Sequence, residues 1–73
     1  MENNELRLCR KIYDLKDITF SVKSYAGIAD ILIQQEESYI ICKFTNCIYD
    51  LTQTMQEFEN YLIQYSNSKG YTQ

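Results

Sequence analysis

The chain has 73 residues, enough for one domain spanning 1–73, with an ordered core expected over about 5–66. Apolar residues make up 45% and charged residues 23%, proline is absent and glycine occurs only at Gly27 and Gly70, which argues against a linker or low-complexity segment. A net charge of −3 with no basic stripe argues against nucleic-acid binding, and no apolar run approaches the ~18 residues of a membrane span.

The elements follow in chain order. Residues 5–13, ELRLCRKIY, set Leu6, Leu8 and Ile12 against Arg7 and Lys11. That period of two predicts a strand with one wet face, and Cys9 falls on the wet parity. Over 14–26 two patterns compete. Ile18, Phe20 and Val22 alternate like a strand, while Leu15, Ile18, Val22 and Tyr25 keep helical spacing. Asp14 as N-cap, and Lys23 and Gly27 at the far end, favour a helix, with Gly27 expected in the C′ place. Residues 28–35 hold Ile28, Ile31, Leu32 and Ile33, and 39–45 read YIICKFT. The polar residues between them, Gln34 to Ser38, make the two runs an antiparallel hairpin. Residues 46–49 form a connection. From Asp50, which with Gln53 resembles a capping box, Leu51, Met55, Phe58, Leu62 and Tyr65 recur at helical spacing. A helix of about 16 residues is ~24 Å long, and 66–73 are expected to fray.

The order is therefore β-α-β-β-α. A right-handed β-α-β unit followed by a returning hairpin strand puts the third strand between the first two. The expected fold is an α+β two-layer sandwich, a ferredoxin-like fragment with a three-stranded, mainly antiparallel sheet and both helices on one face.

Little in the sequence carries chemistry. Histidine is absent, which removes the commonest general base and a favoured zinc ligand, and there is no glycine-rich phosphate loop. Cys9, Cys42 and Cys47 are too irregularly spaced for a metal knuckle and read as ordinary thiols in or near the core. Their odd number and the acidic, polar amino terminus, unlike a secretory signal, point to the reducing cytoplasm. Glu36 and Glu37 read as a solvated turn. Of seven tyrosines, Tyr25, Tyr61 and Tyr65 are expected near the helix–sheet seam, while Tyr39 and Tyr49 flank the third strand. Tyrosine fills a small core and also suits an interface. No enzyme, cofactor or metal site is expected; a binding role is.

Three stretches, IYDLKDITFSVKSYAGIADILI, ESYIICKF and MQEFENYLI, together resemble the HxsD proteins of His-Xaa-Ser peptide-modification systems. Members of that family have an Ile-Tyr-Ser-Leu-type step after the first strand and a Glu-Phe-x-Asn-x-Leu motif on the last helix. The matching positions are Ile12-Tyr13-Asp14-Leu15 and Glu57-Phe58-Glu59-Asn60-Tyr61-Leu62, and the similarity covers about residues 5–66. The family accompanies radical S-adenosylmethionine maturases of ribosomally made peptides, and the resemblance implies an accessory or peptide-recognition role with no activity of its own. Family members continue with further secondary structure, whereas this chain stops at Gln73, which is expected to leave a sheet edge uncovered. The expected partner-binding edge is that of the first strand, with Arg7, Cys9, Lys11 and Tyr13. Its expected occupants are a precursor leader peptide, the maturase or a second copy forming a homodimer. The alternative function is a small phage or mobile-element inhibitor acting by protein–protein contact.

Overall fold

The computed structural model describes residues 3–70 and gives the expected element order: β1 (Glu5–Cys9), α1 (Leu15–Ser24), β2 (Asp30–Gln35), β3 (Tyr39–Thr45) and α2 (Leu51–Gly70). The sheet order is β1-β3-β2, and both pairings are antiparallel. This is the α+β arrangement that the sequence predicts, with β3 in the middle.

Side-chain parity explains why the layers form. In register, Leu6 faces Cys42, Leu8 faces Ile40, Ile31 faces Phe44 and Ile33 faces Cys42. One face of the sheet is therefore apolar across all three strands. Both helices pack on it: Leu8, Ile18, Ile40, Cys42, Phe44, Phe58 and Leu62 form the buried core. Removing a side chain of this size from water stabilises the fold by about 1.5–3 kcal/mol each. The Phe58 ring meets Phe44 edge to face at 5.3 Å and Tyr25 at 5.4 Å, so one residue joins α2 to the sheet and to the end of α1.

Helix α1 resolves its competing patterns in favour of helix. Asp14 caps it, its carboxylate accepting the Lys16 N–H at 3.1 Å. Leu15, Ile18, Val22 and Tyr25 all pack on the core, as their spacing requires. The carboxy end differs from expectation. Tyr25 is the C-cap, and its N–H donates to the carbonyls of Ser21 and Val22. Gly27 has no positive φ and so does not act as a left-handed cap. The one left-handed residue among those described is Asn46 (φ 54°), just after β3, where its side chain also donates to Asp30 at 2.8 Å.

Helix α2 starts as predicted: Asp50 Oδ2 accepts the Gln53 N–H at 2.9 Å. It then runs past Tyr65, and the fraying expected over 66–73 is not seen up to Gly70; 71–73 lie outside the described residues, as do Met1 and Glu2 of the polar amino terminus. The reason is the seam with α1. Ser66 Oγ donates to Asp17 Oδ2 at 2.9 Å, Tyr65 stacks on Phe20 at 4.3 Å, and Tyr61 donates its hydroxyl to Ser24 Oγ at 3.0 Å. Asp17 is only 6% exposed, so its carboxylate must be satisfied inside the seam.

Replacing Ser66 with alanine takes one donor from that carboxylate. Urea unfolding of Ser66→Ala is expected to show a loss of about 1–3 kcal/mol, the range for a hydrogen bond to a buried charged group. A change within error of zero contradicts this anchoring role.

Candidate functional site

The hydrogen-bond ladder decides which backbone groups of β1 are in use. The Phe44 N–H donates to the Asn4 carbonyl at 2.9 Å, and the Arg10 N–H donates to the Ser38 carbonyl at 3.1 Å. In an antiparallel pair the bonded residues alternate, so positions 4, 6, 8 and 10 face β3. Glu5, Arg7 and Cys9 send their N–H and C=O groups the other way. Two of those outward groups are satisfied locally. The Glu5 N–H donates to Asn3 Oδ1 at 3.1 Å, and the Cys9 carbonyl accepts from Ile12 at 3.0 Å and Tyr13 at 2.9 Å. What remains is a short row: the Glu5 carbonyl, both groups of Arg7 and the Cys9 N–H. Among the described residues no strand pairs with this row.

The expected site residues divide here. Arg7 and Cys9 lie in β1, with side chains on the face away from the helices. The Arg7 guanidinium sits over the Tyr39 ring, 5.0 Å from its centroid, and 3.8 Å from the Glu36 carboxylate. Both ends of that ion pair are well exposed, so it positions Arg7 more than it stabilises the fold. Lys11 and Tyr13 are not strand residues, which corrects the predicted strand 5–13. The chain leaves the sheet at Cys9 because the N–H groups of Ile12 and Tyr13 both turn back to its carbonyl. Ile12, which continues the apolar parity of Leu6 and Leu8, ends 73% exposed, and Tyr13, from the wet parity, packs on the core instead. Burial, and then the nearby Glu59 carboxylate, pushes the Tyr13 hydroxyl above its ordinary pKa. Lys11 is left exposed in the turn, beside a hollow of about 340 Å³ that Arg10, Ile12 and Tyr13 also line.

The remaining candidates take structural places. Tyr25, Tyr61 and Tyr65 sit in the helix–helix seam, with Tyr25 5.7 Å from Tyr61 and tilted against it. Burial, followed by Glu57 and Tyr61, raises the Tyr25 pKa. Tyr39 and Tyr49 are exposed. The three cysteines are free thiols: Cys42 is fully buried in the core, and Cys9 and Cys47 are half-buried. Burial pushes the Cys42 thiol up to about 11, which keeps it protonated and unreactive at neutral pH. Among the described residues no three His, Cys, Asp or Glu side chains are grouped to hold a metal, and no helix is long and apolar enough to cross a membrane.

Sequence reading missed a second open edge, that of β2. Ile31, Leu32 and Ile33 look like one continuous apolar run. In the fold Ile31 and Ile33 pack on the core, while Leu32 points away from the helices and is 65% exposed. The period of two was present, but an apolar residue on the wet parity hid it.

Comparison with protein-family models, with curated proteins and with solved structures finds no match to this chain.

The burial of Cys42 has a measurable consequence. Its folded-state pKa lies above the ordinary thiol value of 9.0, so the unfolded chain loses this proton first. The stabilising contribution is full below pH 9 and is lost as pH rises towards 11. With a thiol-specific reagent at pH 8, Cys9 and Cys47 are expected to react in the native protein and Cys42 only after unfolding. Rapid native-state labelling of Cys42 contradicts this.

Proposed function

We propose that this chain is a non-catalytic accessory protein that recognises an extended peptide segment by adding it as a strand to the outer edge of β1. The observation that carries the reading is the row of unpaired groups on Glu5, Arg7 and Cys9. Edge strands template pairing with another chain, and β-augmentation draws affinity from such main-chain groups. The β-α-β-β-α order also supports it. In a β-α-β-β-α-β ferredoxin-like unit a further strand pairs beside the first, so the place next to β1 suits an added strand. Asn3 and the turn at Ile12–Tyr13 cap the row at its two ends. They limit the guest to a few paired residues and fix its register.

Side chains add selectivity. The guest strand's residues on the helix-free face fall beside Arg7, and its end meets exposed Lys11, which favours a carboxylate in the bound segment. The resemblance to HxsD proteins gives the guest its class: the leader of a ribosomally made precursor peptide, presented to a maturase in the cytoplasm. The absence of histidine in the whole sequence supports a binding role over catalysis.

The test uses backbone chemistry. Arg7→Pro deletes an N–H that points away from β3, and proline is tolerated on an edge strand in that orientation. In a nuclear magnetic resonance titration with the leader of a His-Xaa-Ser-type precursor peptide, the Arg7 and Cys9 amides are expected to shift. Arg7→Pro is expected to weaken binding at least about tenfold, roughly 1.4 kcal/mol, and Arg7→Ala by less. Equal binding by wild type and Arg7→Pro, or no binding of the leader at all, contradicts the reading.

A further inference from the structure

The second free edge differs from the first in length, capping and chemistry. The ladder that commits even positions of β3 to β1 leaves its odd positions for β2. Accordingly Glu36 N–H donates to the Tyr39 carbonyl at 2.8 Å, and Asp30, Leu32 and Gln34 face Thr45, Lys43 and Ile41 as bonded pairs. Ile31, Ile33 and Gln35 therefore turn their backbone groups outward. Among the described residues neither a strand nor a side chain meets those groups, in contrast to the capped row of β1. The side chains here are also less defended. Natural edges are protected by lysine, proline or bulges, and β2 has none of these.

We infer that the outer edge of β2 is a self-association surface, on which a second copy of this chain pairs antiparallel about a twofold axis passing at Leu32. The sequence of the edge selects both the occupant and the register. A twofold axis at Ile33 sets Asp30 opposite Glu36 of the second copy, acid against acid, twice per dimer. Moving the axis to Leu32 sets Asp30 opposite Gln34, and Ile31 and Ile33 of each copy exchange both backbone hydrogen bonds with their opposites. Leu32 then faces its own counterpart in a non-hydrogen-bonded pair, where Cα atoms approach to about 4.5 Å and side chains are closest. Its exposed surface is buried by an identical surface. Lys43, its neighbour within the sheet, lies 3.6 Å from Glu5 on the far strand, a pairing that leaves Leu32 open.

The helix side of the same edge fits too. A hollow of about 400 Å³ lies between α1 and β2, lined by Val22, Lys23, Ala26 and Ile31 among others. In the Leu32 register, Ile33 of the second copy stands opposite Ile31 on this side and enters the hollow. The result is a closed, isologous dimer with one continuous six-stranded sheet. Both β1 edges remain at its outer ends. This inference is independent of the peptide reading, since the two use opposite edges.

Sedimentation velocity on the intact chain tests it. From about 1 µM to 1 mM, the range over which a modest dimer assembles, the wild type is expected to reach twice its monomer mass of 8.7 kDa. Leu32→Lys and Leu32→Glu place like charges across the axis and are each expected to remain monomeric over that range, at least about tenfold weaker in association. Because Leu32 is exposed, both variants should keep the wild-type circular dichroism spectrum. Mixing the two in equal amounts is expected to restore the dimer mass through a Lys–Glu pair. A wild type that stays monomeric throughout, variants that dimerise as well as the wild type, or a mixture that fails to restore the dimer each overturn the proposal. Arg7→Pro is expected to leave the dimer mass unchanged, so failure of this proposal and failure of the peptide reading are separable.

Discussion

A strand carries donors and acceptors along both edges, and among the described residues only β3 pairs both of its rows internally. Its even positions bond to β1 and its odd positions to β2. The same strand supplies Ile40, Cys42 and Phe44 to the core beneath the helices, so hydrogen bonding and apolar burial converge on it. Everything else is arranged around that strand. Among the described residues the sheet has one interior strand and so two edges, and each edge keeps an unpaired row because the helices lie on one face. The proposed binding and self-association surfaces are thus consequences of the topology rather than additions to it.

The helix layer has its own constraint. A short chain buries limited apolar area, and here polar groups also enter the interior. Asp17 and Ser21 sit on the inner side of α1, where Ser21 Oγ donates to the Asp17 carbonyl at 2.9 Å and Ser66 of α2 bonds the Asp17 carboxylate. With the Phe20–Tyr65 stack and the Tyr61–Ser24 bond, these contacts make the seam specific in register, and they need α2 to continue beyond its apolar stripe. Among the described residues no helix lies on the opposite face of the sheet. Ile41 is nonetheless only 5% exposed, lying on the middle strand between Arg7 and Gln34 in register. Leu32 has no such place, and that asymmetry distinguishes the two edges.

Much of this architecture was legible in the sequence because local signals agreed. Asp14 and Asp50 marked helix starts, Leu51 to Tyr65 kept a helical stripe, and two β-rich runs around Gln34–Ser38 made a hairpin. The departures share a cause: contacts distant in sequence overrode local pattern. The alternation of 5–13 continues through Ile12 on paper, but the turn at Cys9 ends it in space. The polar tail after Tyr65 looked frayed because its partner, Asp17, is far away in the chain. The tyrosines were expected to line helix and sheet, yet Tyr61 and Tyr65 join helix to helix. At the candidate site, Arg7 and Cys9 were identifiable by parity, whereas the loss of Lys11 and Tyr13 from the strand, and the open state of β2, required the ladder.

Among the described residues β1 is paired on one side only, and amide hydrogen exchange measures this directly in the protein without any partner. Slow exchange is expected at Leu6 and Leu8, whose N–H groups face β3, and fast exchange at Arg7 between them, whose N–H faces outward. Uniform protection across Leu6, Arg7 and Leu8 would mean that the outer edge is already occupied, and would contradict the account.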